Sequence, residues 1–376
     1  MGGSTSKETV FKSSYWSTPT YRIPALVFQE DHFLAFSEKR LTGSKDYGPM
    51  KMVVKRRLFK GDNVNWSPET SIYPATETGK RPMNPVPIVI NETNVILLFN
   101  TYPENMPQSD VRNSDTRVWN LLITQSHDGG ETWEPSRELP VDKIFSNFKS
   151  GVPSYCAVGP GHAIKLDSGK LIVSGNVGWP KSKNTKSKPF VIISENNGET
   201  WHMGGLIPLP EIDGKKISGG ECQPVDMGSD NVVINCRTGG TYPRFQCYSS
   251  DACKTFSDSQ VMQTLIEPKN GCQGSTIGFK ATDSKLPEDP EMKDLRWALF
   301  SNPDCRLLRR NLSVRLSKDK CQTWSDPPIK VLETLGSAYS DLAAFVEDGE
   351  QTFACLFERN KTLLRNIEFT TFTLDD

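Results

Sequence analysis

An eight-residue pattern that recurs four times restricts the fold of this chain more than any other feature. Ser126-His127-Asp128-Gly129-Gly130-Glu131-Thr132-Trp133 returns as Ser194-Glu195-Asn196-Asn197-Gly198-Glu199-Thr200-Trp201. It returns again as Ser249-Ser250-Asp251-Ala252-Cys253-Lys254-Thr255-Phe256 and as Ser317-Lys318-Asp319-Lys320-Cys321-Gln322-Thr323-Trp324. The starts lie about 55 to 68 residues apart, and self-similarity at such a period marks an architecture built from stacked units. Each copy reads as a compact turn: Ser and Asp accept from nearby backbone N–H groups, Gly takes a positive φ, and the aromatic packs between sheets. Cys253 and Cys321 stand where two copies have Gly130 and Gly198, so glycine is not strictly required there. The Asp of the pattern reads as structural and not as a chemical group.

The segments between the repeats fix the class. Apolar residues come in short alternating or continuous runs bounded by Gly, Pro, Asn and Asp, a strand pattern, over 21–28, 33–37, 52–58, 95–99, 118–124, 190–194, 232–236, 312–316 and 367–372. Sustained helical periodicity is nearly absent, with one weak candidate over 141–148. The chain reads as all-β. Six units would have about 63 residues each, room for a four-stranded blade and its loops.

Composition removes several function classes. Lys plus Arg total 44 against 45 Asp plus Glu, a net charge of -1, which offers no global attraction to nucleic acid. The apolar runs stop far short of the roughly 18 residues of a membrane span. The nine cysteines contain no CxxC pair and read as reduced, mostly buried thiols. No HExxH, GxSxG, phosphate-loop or dinucleotide pattern occurs, so chemistry is expected to rest on Arg, Asp, Glu and Tyr, with no metal and no organic cofactor. The N-terminus lacks the apolar core of a secretory signal, which predicts a cytoplasmic location. Met1-Gly2-Gly3-Ser4-Thr5-Ser6 also fits the N-myristoylation pattern. Two expectations stand side by side: peripheral membrane contact through N-myristoyl Gly2 aided by Lys181, Lys183, Lys186 and Lys188, or a flexible start and a solvated loop.

Further motifs are Tyr21-Arg22-Ile23-Pro24, Met83-Asn84-Pro85, Ala157-Val158-Gly159-Pro160-Gly161-His162, Glu221-Cys222-Gln223, Gly271-Cys272-Gln273-Gly274-Ser275 and Ala338-Tyr339-Ser340-Asp341-Leu342. Together with the repeats, these resemble the YRIP motif, the Asp boxes and other segments of the sialidase (neuraminidase) family, most like its vertebrate cytosolic and membrane-associated members. The resemblance runs over roughly 21–374. It implies a six-bladed β-propeller with the active site at one end of the central axis. Residues 1–20 are then a segment expected to close the last blade, and 21–376 a single catalytic domain. The implied activity is that of a retaining exo-α-sialidase, removing terminal sialic acid from glycolipids, glycoproteins or oligosaccharides. A non-catalytic sialoglycan-binding propeller is the alternative, and a trans-sialidase ranks third.

A sialic acid bears a carboxylate on its anomeric carbon, and guanidinium groups offer forked donors that stay charged. By motif match, Arg22, Arg237 and Arg309 are expected to converge on that anion; the bland alternative is three solvated surface arginines. An anionic nucleophile beside the carboxylate would be repelled, whereas a neutral Tyr hydroxyl would not. The resemblance assigns Tyr339 as nucleophile and Glu221 as the base taking its proton; a Tyr nucleophile is the known departure of sialidases from the two-carboxylate pattern of most glycosidases. The other reading of Tyr339 is an interblade aromatic. Asp46, on a Gly-containing loop six residues after Arg40, is the candidate general acid, or else a solvated turn residue. Arg40 is expected to help bind the carboxylate or a ring hydroxyl, Glu358 to orient Arg22, and Asn84 to line the N-acyl pocket.

Overall fold

The computed structural model describes residues 7–14, 18–60, 64–74, 79–148, 151–180, 187–280, 295–361 and 364–374. Gly2, Lys181, Lys183 and Lys186 lie outside them. Strands dominate, and the two α-helices among the described residues are Gln108–Asn113 and Val141–Ile144. The second falls inside the expected 141–148 segment; the first had no sequence signal. No helix among the described residues is long and apolar enough to cross a membrane.

The strands form antiparallel meanders arranged like propeller blades. One sheet runs Thr20–Gln29, His32–Arg40, Met50–Leu58, Thr70–Tyr73, and the next Lys80–Val89, Val95–Pro103, Asn120–Ser126, Arg137–Glu138. A third is built on Tyr155–Val158, Leu171–Gly178, Lys188–Ser194 and His202–Met203, and a fourth on Cys222–Asp226, Val232–Cys236, Phe245–Ser249 and Gln260–Val261. The last sheet has seven strands. Its 18-residue strand Lys330–Glu347 pairs with Arg310–Ser317 through its first part and with Glu350–Lys361 through its second. At the far edge Glu8–Phe11 pairs with Leu364–Phe372, so the chain's start and end share a sheet.

Each repeat is a turn between two consecutive strands of one sheet, packed against the sheet beside it. Ser126 Oγ accepts from Gly130 N–H at 2.8 Å and Asp128 Oδ1 accepts from Thr132 N–H at 2.9 Å. The same pair of bonds is made by Ser194 and Asn196, by Ser249 and Asp251, and by Ser317 and Asp319. Gly130 sits at φ 84°, and a Cβ there would lie 2.7 Å from Leu34 of the preceding sheet. Cys253 and Cys321 take the same left-handed conformation at φ 67° and 65°, so the turn tolerates a side chain where the facing sheet leaves room. The aromatic completes the joint: Trp133 meets Phe36 edge-on at 5.8 Å.

The axis is marked by one carboxylate. Asp341 is fully buried and accepts five hydrogen bonds: from Leu26 N–H, His162 N–H, His162 Nδ1, Gln223 Nε2 and Ser275 Oγ, all between 2.8 and 3.1 Å. The donors lie on or beside the first strands of different sheets, so these strands meet at the centre. A cavity lies on each side of this hub. One, of about 290 Å³, is lined by later parts of the inner strands, including Phe28, Val89, Asp226, Gly278 and Ala344. The other, of about 370 Å³, gathers residues at or just before their beginnings.

Candidate active site

The inner strands do not enter the 370 Å³ cavity straight. Pairing of Thr20–Gln29 with its neighbour slips between Arg22 and Ala25, and pairing of Lys80–Val89 slips between Met83 and Val86. Each slip contains a residue before proline at positive φ, Ile23 at 58° and Asn84 at 61°. For a β-branched residue this is a true outlier. Such bulges re-aim side chains, and each freed N–H is taken by a buried glutamate: Ile23 N–H by Glu358 at 3.0 Å, Asn84 N–H by Glu38 at 2.9 Å. Each glutamate also binds an arginine. Glu358 accepts from Arg22 Nε at 3.2 Å, and Glu38 from Arg40 Nε and Nη2 at 3.0 and 2.6 Å.

Tyr339 arrives by a third irregularity, between Ser337 and Ser340. Its hydroxyl donates to Glu221 Oε1 at 2.5 Å, while Arg237 Nη1 donates to the Tyr339 oxygen at 3.0 Å and to Glu221 Oε2 at 2.5 Å. Arg237 Nη2 is fixed by the Asn270 carbonyl at 2.6 Å, and Arg309 Nη2 by the Gly271 carbonyl at 2.7 Å. The guanidinium carbons of Arg22 and Arg309 each lie 5.5 Å from the centre of the Tyr339 ring. Arg22, Arg237 and Arg309, far apart in sequence, therefore surround one tyrosine.

The charges follow from this packing. Burial alone would raise the Glu221 carboxyl, but Arg237, the Tyr339 hydroxyl and Arg309 hold it below its usual value. Burial and then the Glu221 charge push the Tyr339 phenol well above its ordinary value, against the pull of Arg237, Arg22 and Arg309. At rest the shared proton thus sits on Tyr339, next to an ionised acceptor. Burial works against the charge on Arg22, yet Glu358 and Asp46 raise its pKa.

Asp46 also faces the cavity, with its side chain 42% exposed. Oδ1 accepts from Arg40 Nη1 at 2.7 Å and from Arg22 Nη1 at 3.2 Å. Partial burial would raise its carboxyl; Arg40, Arg22 and Arg81 lower it. Asn84 lines the cavity too. Arg40 does not: it is buried, its donors taken up by Glu38, Asp46 and the Ser44 carbonyl, so it stands behind Asp46 and not on the ligand side. Glu358 likewise stands behind Arg22.

Gln108, Arg112 and Tyr155 also line the cavity and carried no sequence signal. Gln108 Nε2 and Arg112 Nη2 both donate to the Tyr155 hydroxyl, at 3.0 and 3.1 Å, and the Arg112 guanidinium stacks 4.1 Å above that ring. A positional rule would have found Tyr155. It opens the inner strand Tyr155–Val158, as Arg22 and Asn84 sit near the openings of theirs and Glu221 just before Cys222–Asp226. Among the described residues no group of three or more His, Cys, Asp or Glu could hold a metal ion.

Fold and site together define a propeller-like β-protein whose axial cavity sets three guanidinium groups around a tyrosine–glutamate pair. Residues 31–350 match the family described as a BNR repeat-like domain. The chain is 31% identical to Sialidase-3 of Mus musculus, over 97% of this chain and 94% of that protein. It is also 31% identical to Sialidase-2 of Rattus norvegicus, over 98% and 95%. The chain belongs to the sialidase family of glycoside hydrolases. Among solved structures, Trypanosoma rangeli sialidase in complex with sialic acid shares the fold with a TM-score of 0.77 at 17% identity, over 98% of this chain and 59% of that one. The Hadza microbial sialidase Hz136 does so with a TM-score of 0.73 at 20% identity, over 95% and 66%. The chain therefore spans about two thirds or less of those longer proteins.

Proposed function

We propose that this protein is a retaining exo-α-sialidase that removes terminal sialic acid from glycoconjugates, with Tyr339 as nucleophile. The observation that carries this reading is the closed triangle of Tyr339, Glu221 and Arg237, ringed by Arg22 and Arg309. The substrate carboxylate binds the three arginines, which brings the anomeric carbon to the Tyr339 hydroxyl. Glu221 takes the phenol proton as the oxygen attacks, and Arg237 holds the two in line. Asp46 protonates the departing glycosidic oxygen, then draws a proton from the water that releases the sugar. Glu358 positions Arg22, Arg40 positions Asp46, and Asn84 contributes to the wall facing the ring substituents.

The seven-stranded sheet reads as two blades that share Lys330–Glu347, which makes six with the four sheets of four or five strands, the two-stranded hairpin of Glu211–Ile212 and Lys215–Lys216 being a loop feature. Pairing of Glu8–Phe11 with Leu364–Phe372 supports the assignment of residues 1–20 to closure of the last blade, with 21–376 as the single catalytic domain. A cytoplasmic location accords with nine unpaired cysteines, eight of them buried. A binding propeller that leaves its glycan intact would use the arginines alone; a tyrosine hydrogen-bonded to a dedicated acceptor favours catalysis.

Purified protein incubated with a fluorogenic sialoside at mildly acidic pH is expected to release the fluorophore. Tyr339→Phe is expected to lower turnover by at least ~10³-fold with folding intact. Undiminished turnover in that variant removes Tyr339 from the mechanism. A parallel panel of ganglioside, sialoglycoprotein and sialyllactose would rank the substrate classes.

A further inference from the structure

Asp46 presents a contradiction in the ligand-free molecule. A general acid must carry a proton, yet Asp46 is held as a carboxylate between Arg40 and Arg22. Arg22 is also one of the three arginines that face the cavity, and its Nη1, the atom that binds Asp46, is not used by Glu358, which takes Nε. Asp46 thus occupies a donor that an incoming carboxylate needs. Two carboxylates cannot share that guanidinium edge at contact distance without strong repulsion.

The loop that bears Asp46 has a glycine on each side of the acid. It joins His32–Arg40 to Met50–Leu58, and Gly43 at φ 128° and Gly48 at φ 102° flank the aspartate at left-handed values. Gly43 has no neighbouring atom within 4 Å of where a Cβ would stand. The far end is anchored, with Gly48 N–H donating to the Glu104 carbonyl at 2.7 Å and Leu41 N–H to the Pro49 carbonyl at 2.9 Å. Between these ties the stretch that carries the acid is held to Arg40 through the Ser44 carbonyl and Asp46 Oδ1, both at 2.7 Å, so the contact a ligand has to break is the longer one to Arg22, at 3.2 Å. The charged and titratable groups around it are Arg22 with Glu358, Arg40 with Glu38, Arg81, and on its own loop Lys45 and Tyr47.

We propose that Asp46 is the resident counter-ion of Arg22 and that a ligand carboxylate displaces it, so that binding and protonation of Asp46 are one coupled event. The inference rests on the reading of the cavity as a sialoside site. The ligand arrives as an anion, the Arg22–Asp46 ion pair gives way to an Arg22–ligand pair, and Asp46, left with Arg40 as its partner and a second carboxylate beside it, takes one proton from solvent. That proton is the one the reaction then delivers to the leaving oxygen. The acid is thereby loaded only when substrate is present.

Calorimetric titration of the full chain with free N-acetylneuraminic acid, in two buffers of different ionisation enthalpy, reads the proton directly. The wild type is expected to take up a proton on binding, with Kd tightening by up to about tenfold per unit as pH falls from about 7.5 to 5. Asp46→Asn is expected to bind without uptake, with a flat pH profile and more tightly than wild type at the alkaline end, where no ion pair must break. Binding to the wild type with no uptake and a flat Kd overturns the proposal, as does equal uptake by Asp46→Asn, which would send the proton to Glu221 or Glu38. Should that variant fold poorly, Asp46→Ser carries the same comparison, with loss of uptake expected and retained uptake overturning the proposal. Absence of binding by a folded wild type is a different result, because it overturns the sialoside reading itself.

Discussion

Two residues before prolines, Ile23 and Asn84, shape the site by holding conformations that side chains seldom adopt. Strain of this kind costs on the order of 1–3 kcal/mol per residue and persists only where neighbours over-determine it. Here the neighbours are the buried carboxylates Glu358 and Glu38, each binding both the strained N–H and an arginine. Glu358→Gln keeps an oxygen for the Ile23 N–H but loses the charge opposite Arg22. A hydrogen bond to a charged group contributes roughly 1.5–3 kcal/mol, so kcat/KM on a fluorogenic sialoside is expected to fall about tenfold to 100-fold, mostly through KM. Unchanged kinetics in a well-folded variant would show that Arg22 needs no such partner. At this scale motifs carried far: Arg22, Glu221 and Tyr339 stand in recognisable strings. Arg112 and Tyr155 do not, because their place in the cavity depends on a six-residue helix packing over a strand more than forty residues away.

Among the elements, the repeated turn was fully legible, since its hydrogen bonds are local and its residues contiguous. The pattern even foretold that Cys could replace Gly. What the string did not contain is the reason Gly130 is needed, which is Leu34 on another sheet. Burial raises the Asp128 carboxyl, but bonds from the Thr132 hydroxyl and amide and the Ser126 hydroxyl together bring it down to about 2. A carboxyl with a depressed folded-state pKa stabilises above its unfolded value, near 4, and loses that contribution as pH falls toward 2. Asp128→Ala is expected to lower unfolding stability by about 1 kcal/mol at neutral pH, a difference that shrinks as pH falls from about 4 toward 2 and is already smaller at pH 3. Asp128→Asn should cost less, because Asn196 already makes the same bond to Thr200 N–H in the second copy. Urea titrations of the three proteins at pH 7 and pH 3 would test both statements.

Across the whole molecule, Asp341 is the joint on which the ring of sheets closes. Its five donors come from elements spread from Leu26 to Ser275, and without it the Leu26 and His162 amides would be left buried with no acceptor. Asp341→Ala is expected to remove roughly 3–5 kcal/mol of stability, and Asp341→Asn, which retains one acceptor oxygen, distinctly less. A chemical-denaturation midpoint unchanged in the alanine variant would contradict this role. The hub lies two residues beyond Tyr339 on one strand, so the bond that closes the ring also sets the depth of the cavity floor.

The sequence by itself determined whatever depends on neighbours in the chain: the all-β class from alternation, the recurring turns from their Ser, Asp and Thr spacing, and the residue types able to bind an anion. Tertiary structure alone decided which arginines reach the cavity. Arg22 was expected to hold the carboxylate and Arg40 to help, yet only the former lines the cavity, because burial against Glu38 and Asp46 consumes the donors of the latter. The physical reason is that a guanidinium carries the same five donors whatever its sequence context; the partners it meets after folding decide whether any remain for a substrate.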